Sequence, residues 1–279
     1  MFLSTFIRES SRELSKLYPE REAREIVTRL CEDLLGVGRV EHILNPEKEI
    51  DGNLLPALEE AMSRVLNSEP LQYVLGYADF CGRSFKVNPS VLIPRPETEE
   101  LVRTLMPYVG DGSSVLDLCT GSGCIAWTVA LDSPSSRVTG IDISPEALKT
   151  AETQFDCQGP AFFQGDVLKP LDLPGQSFDI LVSNPPYITE GEKSSMRSNV
   201  LEYEPGIALF VPDDNPLLFY RAIAERAGEL LKSSGRGFLE INESLGEQTL
   251  EVFQGAGMIN CTLSKDFAGK QRYLSFQKA

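Results

Sequence analysis

The sequence predicts an α/β protein: a parallel sheet wrapped on both faces by helices, preceded by a small helical bundle and a connecting β-hairpin. Three observations carry this. Over residues 1–70 apolar positions recur at spacings of three and four, as on one face of a helix. Between residues 72 and 92 aromatic and β-branched residues are broken by Gly76, Gly82 and Pro89, the mark of a hairpin. Beyond residue 95 short apolar runs alternate with helical stretches, the pattern of a sheet whose crossovers are helices. A chain of 279 residues has room for one large domain and a small companion. The expected division is residues 1–70 for the helical domain, 71–95 for the hairpin and 96–279 for the α/β domain.

A first helix over residues 2–17 should end before Tyr18-Pro19, because proline disfavours helical geometry in the residue ahead of it. Ala23, Ile26, Val27, Leu30 and Leu34 mark the stripe of a second helix, and Leu55, Leu58, Met62 and Val65 that of another. A short helix over residues 40–44 should stop before Asn45-Pro46. Residues 114–118, 137–141, 178–182 and 237–241 read as buried strands, and a further strand precedes Gln164-Gly165-Asp166. Helices are expected near residues 219–231 and 246–253. Sheets of this kind bind ligands beyond the carboxyl ends of their strands, so chemistry is sought just after each one.

Composition removes several function classes. Lys plus Arg number 26 against 41 Asp plus Glu, a formal charge of −15, which works against non-specific attraction to a phosphate backbone. Hydrophobic residues at 42% and charged ones at 24% exclude fibrous and largely disordered chains. The six cysteines form no CxxC pair, which points away from a zinc module or disulfide scaffold and towards a reducing cytosol. His42, the single histidine, sits in a polar helical stretch far from any other candidate, which points away from a Ser/His/Asp triad or a multi-histidine metal site within one chain. The opening residues meet charge at Arg8 too soon for a signal peptide, and no run of about 18 apolar residues follows. A cytoplasmic monomer is expected, with no metal, membrane or nucleic acid.

Two constellations carry chemistry. The first is Asp117-Leu118-Cys119-Thr120-Gly121-Ser122-Gly123, a glycine-rich turn between strand and helix where a ligand can approach the backbone. Asp142, closing the next strand, can accept hydrogen bonds from both hydroxyls of a ribose, and Asp166 follows the strand after that. Gly121-x-Gly123-x-x-Ala126 also matches a dinucleotide fingerprint, so NAD competes on this segment. Asp117 speaks against it: a carboxylate is unwelcome beside a pyrophosphate but suits the ammonium and sulfonium of S-adenosylmethionine.

The second constellation, Asn184-Pro185-Pro186-Tyr187, follows the strand 178–183 and favours the methyl donor. An amide nitrogen is a poor nucleophile because its lone pair is delocalised, so it must be held in line and its protons met by acceptors. Asn184 offers its side-chain oxygen and Pro185 a backbone carbonyl, while Pro186 stiffens the turn and Tyr187 presents an aromatic face.

These segments, with Glu69-Pro70-Leu71-Gln72-Tyr73-Val74-Leu75-Gly76, Ile93-Pro94-Arg95-Pro96-Glu97-Thr98-Glu99 and Glu202-Tyr203-Glu204-Pro205, resemble the protein-(glutamine-N5) methyltransferases of peptide chain release factors, the PrmC or HemK family. The resemblance implies a Rossmann-like class I methyltransferase domain with a mostly parallel seven-stranded sheet. It implies transfer of a methyl group from S-adenosylmethionine, leaving S-adenosylhomocysteine, to the glutamine of a Gly-Gly-Gln motif in a release factor that the helical domain grips. By the same resemblance Asp117, Cys119, Thr120, Gly121, Ser122, Gly123 and Asp142 contact the donor, with Asp166 or Val167 near its adenine and Asn184 shared with the substrate. Asn184, Pro185, Pro186 and Tyr187 hold the glutamine, and Arg95, Glu97 and Thr98 lie near the active-site mouth or pin the hairpin. Members of that family can carry glycine where this chain has Cys119 and an aromatic residue where it has Val167. A ribosomal-protein glutamine methyltransferase, an adenine methyltransferase or a non-catalytic partner of translation factors are the competing readings.

Overall fold

The computed structural model describes residues 1–173 and 177–279. The chain divides into two compact units, one of residues 1–76 with 197–203 and one of residues 77–196 with 204–279.

In the first unit α1 (Leu3–Leu14), α2 (Glu20–Leu35), α4 (Leu55–Leu66) and α5 (Leu71–Leu75) surround one core, while the short α3 (Glu41–Leu44) buries no residue in it. Leu3, Phe6 and Leu14 of α1 meet Ala23, Val27 and Leu30 of α2 and Leu58, Met62 and Val65 of α4. The apolar stripes in the sequence are thus the buried faces. Pro19 opens α2 and Gly36, at φ 63°, closes it. Residues 71–75 are helical rather than part of the hairpin: Pro70 starts α5, Gly76 at φ 80° ends it, and Leu71, Val74 and Leu75 pack on the bundle core. Aromatic and β-branched content at Tyr73 and Val74 concealed that short helical turn.

The second unit opens with the hairpin β1 (Tyr77–Phe80) and β2 (Arg83–Lys86), followed by α6 (Pro96–Leu105). Then come β3 (Ser114–Leu118), α7 (Cys124–Asp132), β4 (Arg137–Asp142), α8 (Pro145–Glu152), β5 (Ala161–Gln164), β6 (Phe178–Ser183), β7 (Ile188–Thr189), α9 (Ser198–Tyr203) and β8 (Phe210–Val211). Of these, α9 belongs to the first unit. The chain ends with α10 (Leu218–Leu230), β9 (Leu231–Glu240), α11 (Gly246–Gly255), β10 (Met258–Lys265) and β11 (Gln271–Lys278).

Seven strands form one sheet in the order β10-β11-β9-β6-β3-β4-β5, parallel from β9 to β5, with β11 antiparallel to both neighbours. Alternate residues of a strand face opposite sides. Leu116, Leu118 and Leu181 accordingly join Tyr220, Ile223 and Phe253 beneath α10 and α11. Val115, Ile180 and Val182 join Leu101, Ile125 and Trp127 beneath α6 and α7. From β3 the chain builds outward through β4 and β5, then returns to β6 on the other side. That reversal opens a crevice at the carboxyl ends of β3 and β6.

Candidate functional site

After β3 the chain turns through Cys119 to Gly123 with left-handed backbone at Cys119 (φ 59°), Gly121 (φ 55°) and Gly123 (φ 78°). The Thr120 N–H donates to the Ile141 carbonyl at 2.9 Å, tying the turn to the end of β4. Asp142 then accepts from the Gly121 N–H at 2.8 Å and, through its other oxygen, from the Ser144 N–H at 3.0 Å. Burial raises the Asp142 pKa against the pull of these donors.

Asp117 is fully buried behind the turn. Thr120 donates its hydroxyl to one carboxylate oxygen at 2.5 Å, whereas the other has no hydrogen-bond partner. Burial pushes the Asp117 carboxyl up to about 7, only partly countered by the Thr120 hydroxyl and by the nearby Ala126 N–H, which makes no well-formed hydrogen bond to the second oxygen. Burial and the nearby Asp142 and Asp117 charges push the Cys119 thiol upwards, so it stays protonated and is no nucleophile.

A cavity of about 220 Å³ opens at these strand ends. Of the residues singled out in the sequence, Cys119, Gly121, Asp142, Asp166, Val167, Asn184 and Pro186 line it. The remaining wall includes Val91, Leu92, Ile143, Ile207 and Phe219, which sequence reading missed because lone apolar residues carry no signal of a ligand. A larger open hollow of about 850 Å³ touches Ser114, Arg137 and Phe178, the first residues of β3, β4 and β6. It lies at the amino ends of the strands, where parallel sheets do not place their ligands.

Asn184, Pro185, Pro186 and Tyr187 follow β6 as a turn held at both ends. Ser183, the last residue of β6, donates its hydroxyl to the Leu118 carbonyl at 2.6 Å and so joins the ends of β6 and β3. The Asn184 side-chain nitrogen donates to the Thr98 hydroxyl at 3.1 Å, and that hydroxyl donates to one Glu240 oxygen at 2.7 Å. The other Glu240 oxygen accepts from the Tyr187 hydroxyl at 2.8 Å. The Tyr187 carbonyl accepts from Asn242 at 3.1 Å. Burial raises the Glu240 pKa, opposed by the Thr98 and Tyr187 hydroxyls and by Arg272. Burial and the Glu240 charge raise the Tyr187 phenol well above its ordinary value, keeping it a proton donor in this bond.

Thr98, only 3% exposed, therefore stands behind Asn184 and not on the cavity wall. Arg95 pairs with the buried Glu204 at 2.5 Å, and Glu204 also accepts from the Ile93 N–H at 3.1 Å. The Glu97 carbonyl accepts from the Tyr273 hydroxyl at 2.8 Å. Glu240 and Asn242 escaped the sequence reading, although a carboxylate within the apolar run Phe238-Leu239-Glu240-Ile241 is a recognisable sign.

The donor set fits S-adenosylmethionine. An unpartnered carboxylate oxygen behind the turn suits a ligand carrying positive charge, Asp142 retains acceptor capacity for hydroxyls, and Val91, Ile143 and Val167 supply apolar walls for a flat ring.

Residues 110–236 match a methyltransferase domain family, and residues 5–76 match the PrmC N-terminal domain family. The chain is 41% identical over 276 residues, 98% of each protein, to a release factor glutamine methyltransferase of Bacteroides thetaiotaomicron. It is 38% identical over 281 residues, again 98% of each, to a release factor glutamine methyltransferase of Flavobacterium psychrophilum. Among solved structures, a methyltransferase from Pyrococcus furiosus aligns with a TM-score of 0.53 and 18% identity, covering 79% of this chain and 99% of that one. This likeness and the strand order bear out the mostly parallel seven-stranded methyltransferase fold.

Proposed function

The chain belongs to the family of release factor glutamine methyltransferases, and on that premise we propose that it methylates the side-chain amide nitrogen, N5, of the glutamine in the Gly-Gly-Gln motif of a peptide chain release factor. The observation that carries this reading is one cavity whose wall joins the Gly121 turn and the Asp142 carboxylate to Asn184 and Pro186. One side of the cavity suits a nucleoside donor and the other an amide acceptor.

S-adenosylmethionine, when bound, supplies an electrophilic methyl group on a positively charged sulfur. The remaining work falls to this chain. Asp142 would receive the ribose hydroxyls, Asp166 and Val167 would flank the adenine, and Cys119 to Gly123 would offer backbone at close approach. Asp117, Thr120 and Ser122 support that turn from behind. Val167, 5% exposed, gives the ring an aliphatic contact and no stacking partner. The Asn184 oxygen and the Pro185 carbonyl would accept the two amide protons of the substrate glutamine, restraining its rotation and drawing electron density towards nitrogen. No ionised base has to touch the nitrogen, because its proton becomes acidic once the new bond forms. The first unit would grip the release factor, and the reaction belongs in the cytoplasm, where that substrate works.

The test is mass spectrometry of an unmodified release factor after incubation with this protein and S-adenosylmethionine. A single added methyl on the Gly-Gly-Gln glutamine is expected. Absence of that methyl while the donor still binds would overturn the reading and direct attention to ribosomal proteins. Asn184→Ala should lower kcat by about a hundredfold while donor affinity changes little.

A further inference from the structure

Asn184 sits at the cavity with an ambiguity built into its side chain. Its oxygen and its NH2 group are nearly equal in size, so the chain can present either one to a bound amide. Only the oxygen can accept a substrate N–H. A flipped Asn184 would set donor against donor and leave the glutamine unheld. A hydroxyl neighbour does not choose between the two, since it accepts from an NH2 group as readily as it donates to an oxygen.

We propose that Glu240, acting through Thr98, is the positioning residue that fixes the orientation of the Asn184 amide and so turns its oxygen to the substrate. An ionised carboxylate has no proton to give. One Glu240 oxygen takes the Thr98 hydroxyl proton at 2.7 Å and the other takes the Tyr187 hydroxyl proton at 2.8 Å. Thr98 then has only lone pairs left, and Asn184 must turn its nitrogen towards them, as it does at 3.1 Å. The relay runs one way because each Glu240 oxygen is already engaged in accepting a hydroxyl proton. The same carboxylate anchors Tyr187 at the far end of the four-residue turn, so both ends of Asn184-Pro185-Pro186-Tyr187 hang on one group of β9. Glu240 is 1% exposed and Thr98 3%, which keeps water from satisfying either group and loosening the choice.

This inference rests on the proposed reading of Asn184 as the acceptor for a substrate amide, and the experiment separates the two. Glu240→Gln keeps the shape but brings an NH2 group that can donate to Thr98, reversing the relay. Thr98→Val removes the hydroxyl at constant size, and Thr98→Ser keeps it. Initial rates with an unmodified release factor give kcat and KM, titration gives the donor Kd, and thermal melts establish folding. Expected is a fall in kcat of about 10- to 100-fold in Glu240→Gln and Thr98→Val, with donor Kd within about twofold and Thr98→Ser near the parent. In an Asn184→Ala background, Glu240→Gln should cost nothing further, because there is no amide left to orient.

Unchanged kcat in Glu240→Gln, full additivity with Asn184→Ala, or Thr98→Ser as slow as Thr98→Val would overturn the relay. If Glu240→Gln does not fold, Thr98→Val against Thr98→Ser decides alone. If Asn184→Ala keeps its rate, the reading of the site itself fails.

Discussion

Asp117 is buried behind the glycine-rich turn with one oxygen outside any hydrogen bond, so under the proposed donor site its ionisation would couple folding to binding. Its folded pKa of about 7 lies above the ordinary 3.8, meaning that the folded protein holds a proton the unfolded chain releases. This contribution to stability is full below the unfolded pKa and is lost as pH rises through the folded one, at up to about 1.4 kcal/mol per pH unit in between. Asp117→Asn does not titrate. Without donor it should melt higher than the parent near pH 8, with the difference shrinking towards pH 5. A cationic ligand reverses the advantage, because it favours the carboxylate. Donor binding by the parent should therefore release protons and weaken as pH falls below about 7, whereas Asp117→Asn should bind weakly throughout. Calorimetry in two buffers of different ionisation enthalpy measures the proton release directly, and a buffer-independent enthalpy would contradict the coupling.

Cys119, in the same turn, carries a conformational cost of its own. Its φ of 59° is left-handed, a conformation costing a side-chain-bearing residue about 1–2 kcal/mol. Glycine in its place should leave stability within about 1 kcal/mol of the parent and keep donor affinity, since on the proposed reading the donor approaches backbone there. Valine, branched at Cβ, should lose about 2 kcal/mol or more. Chemical denaturation of both variants checks the pair.

The strap from Val91 to Arg95 is placed by a carboxylate from a distant loop. Glu204 takes the Ile93 N–H and the Arg95 guanidinium, and Val91 and Leu92 of that strap line the cavity. Removing the carboxylate leaves a buried N–H unpaired. Glu204→Ala should cost about 2 kcal/mol in denaturant unfolding and raise donor Kd several-fold, and an unchanged Kd would show that the strap holds itself. This arrangement also marks where reading the sequence stops. The glycine turn and Asn184-Pro185-Pro186-Tyr187 were legible because each packs its chemistry into neighbouring residues after a recognisable apolar strand. The partners of Glu240 and Glu204 were not, even though Glu240 stands out in an apolar run and Glu204 in the segment Glu202-Tyr203-Glu204-Pro205, because the two carboxylates act across sequence separations of 142 and 111 residues. The strands show the same limit. β3 matched its apolar run from end to end, yet β9 begins at Leu231, six residues before the expected start, where Lys232, Ser233 and Ser234 give no buried pattern. What holds the first part of β9 is pairing along the backbone, including Leu231 opposite Phe178 and Arg236 opposite Gln277. β10, exposed at most positions, went unseen for the same reason.

For the whole molecule, the first unit is not one continuous stretch. Residues 197–203 return to it from the middle of the second unit's sequence. Arg197 pairs with Glu22 at 2.6 Å, and the Tyr203 hydroxyl donates to the Asn67 carbonyl at 2.7 Å. If this unit selects the substrate protein, as proposed, the selecting surface is encoded in two places and a swap must carry both. Exchanging residues 1–76 and 197–203 together with those of a ribosomal-protein glutamine methyltransferase should move methylation to the ribosomal substrate at undiminished donor affinity. Exchanging residues 1–76 alone breaks an exposed ion pair and a hydrogen bond, together about 1–2 kcal/mol, and should lower Tm by several degrees. Mass spectrometry of both candidate substrates, with the melt of each chimera, reads the two effects apart. Methylation that stays on the release factor in the double exchange, with a normal melt, would place substrate choice in the second unit and leave the first a structural role.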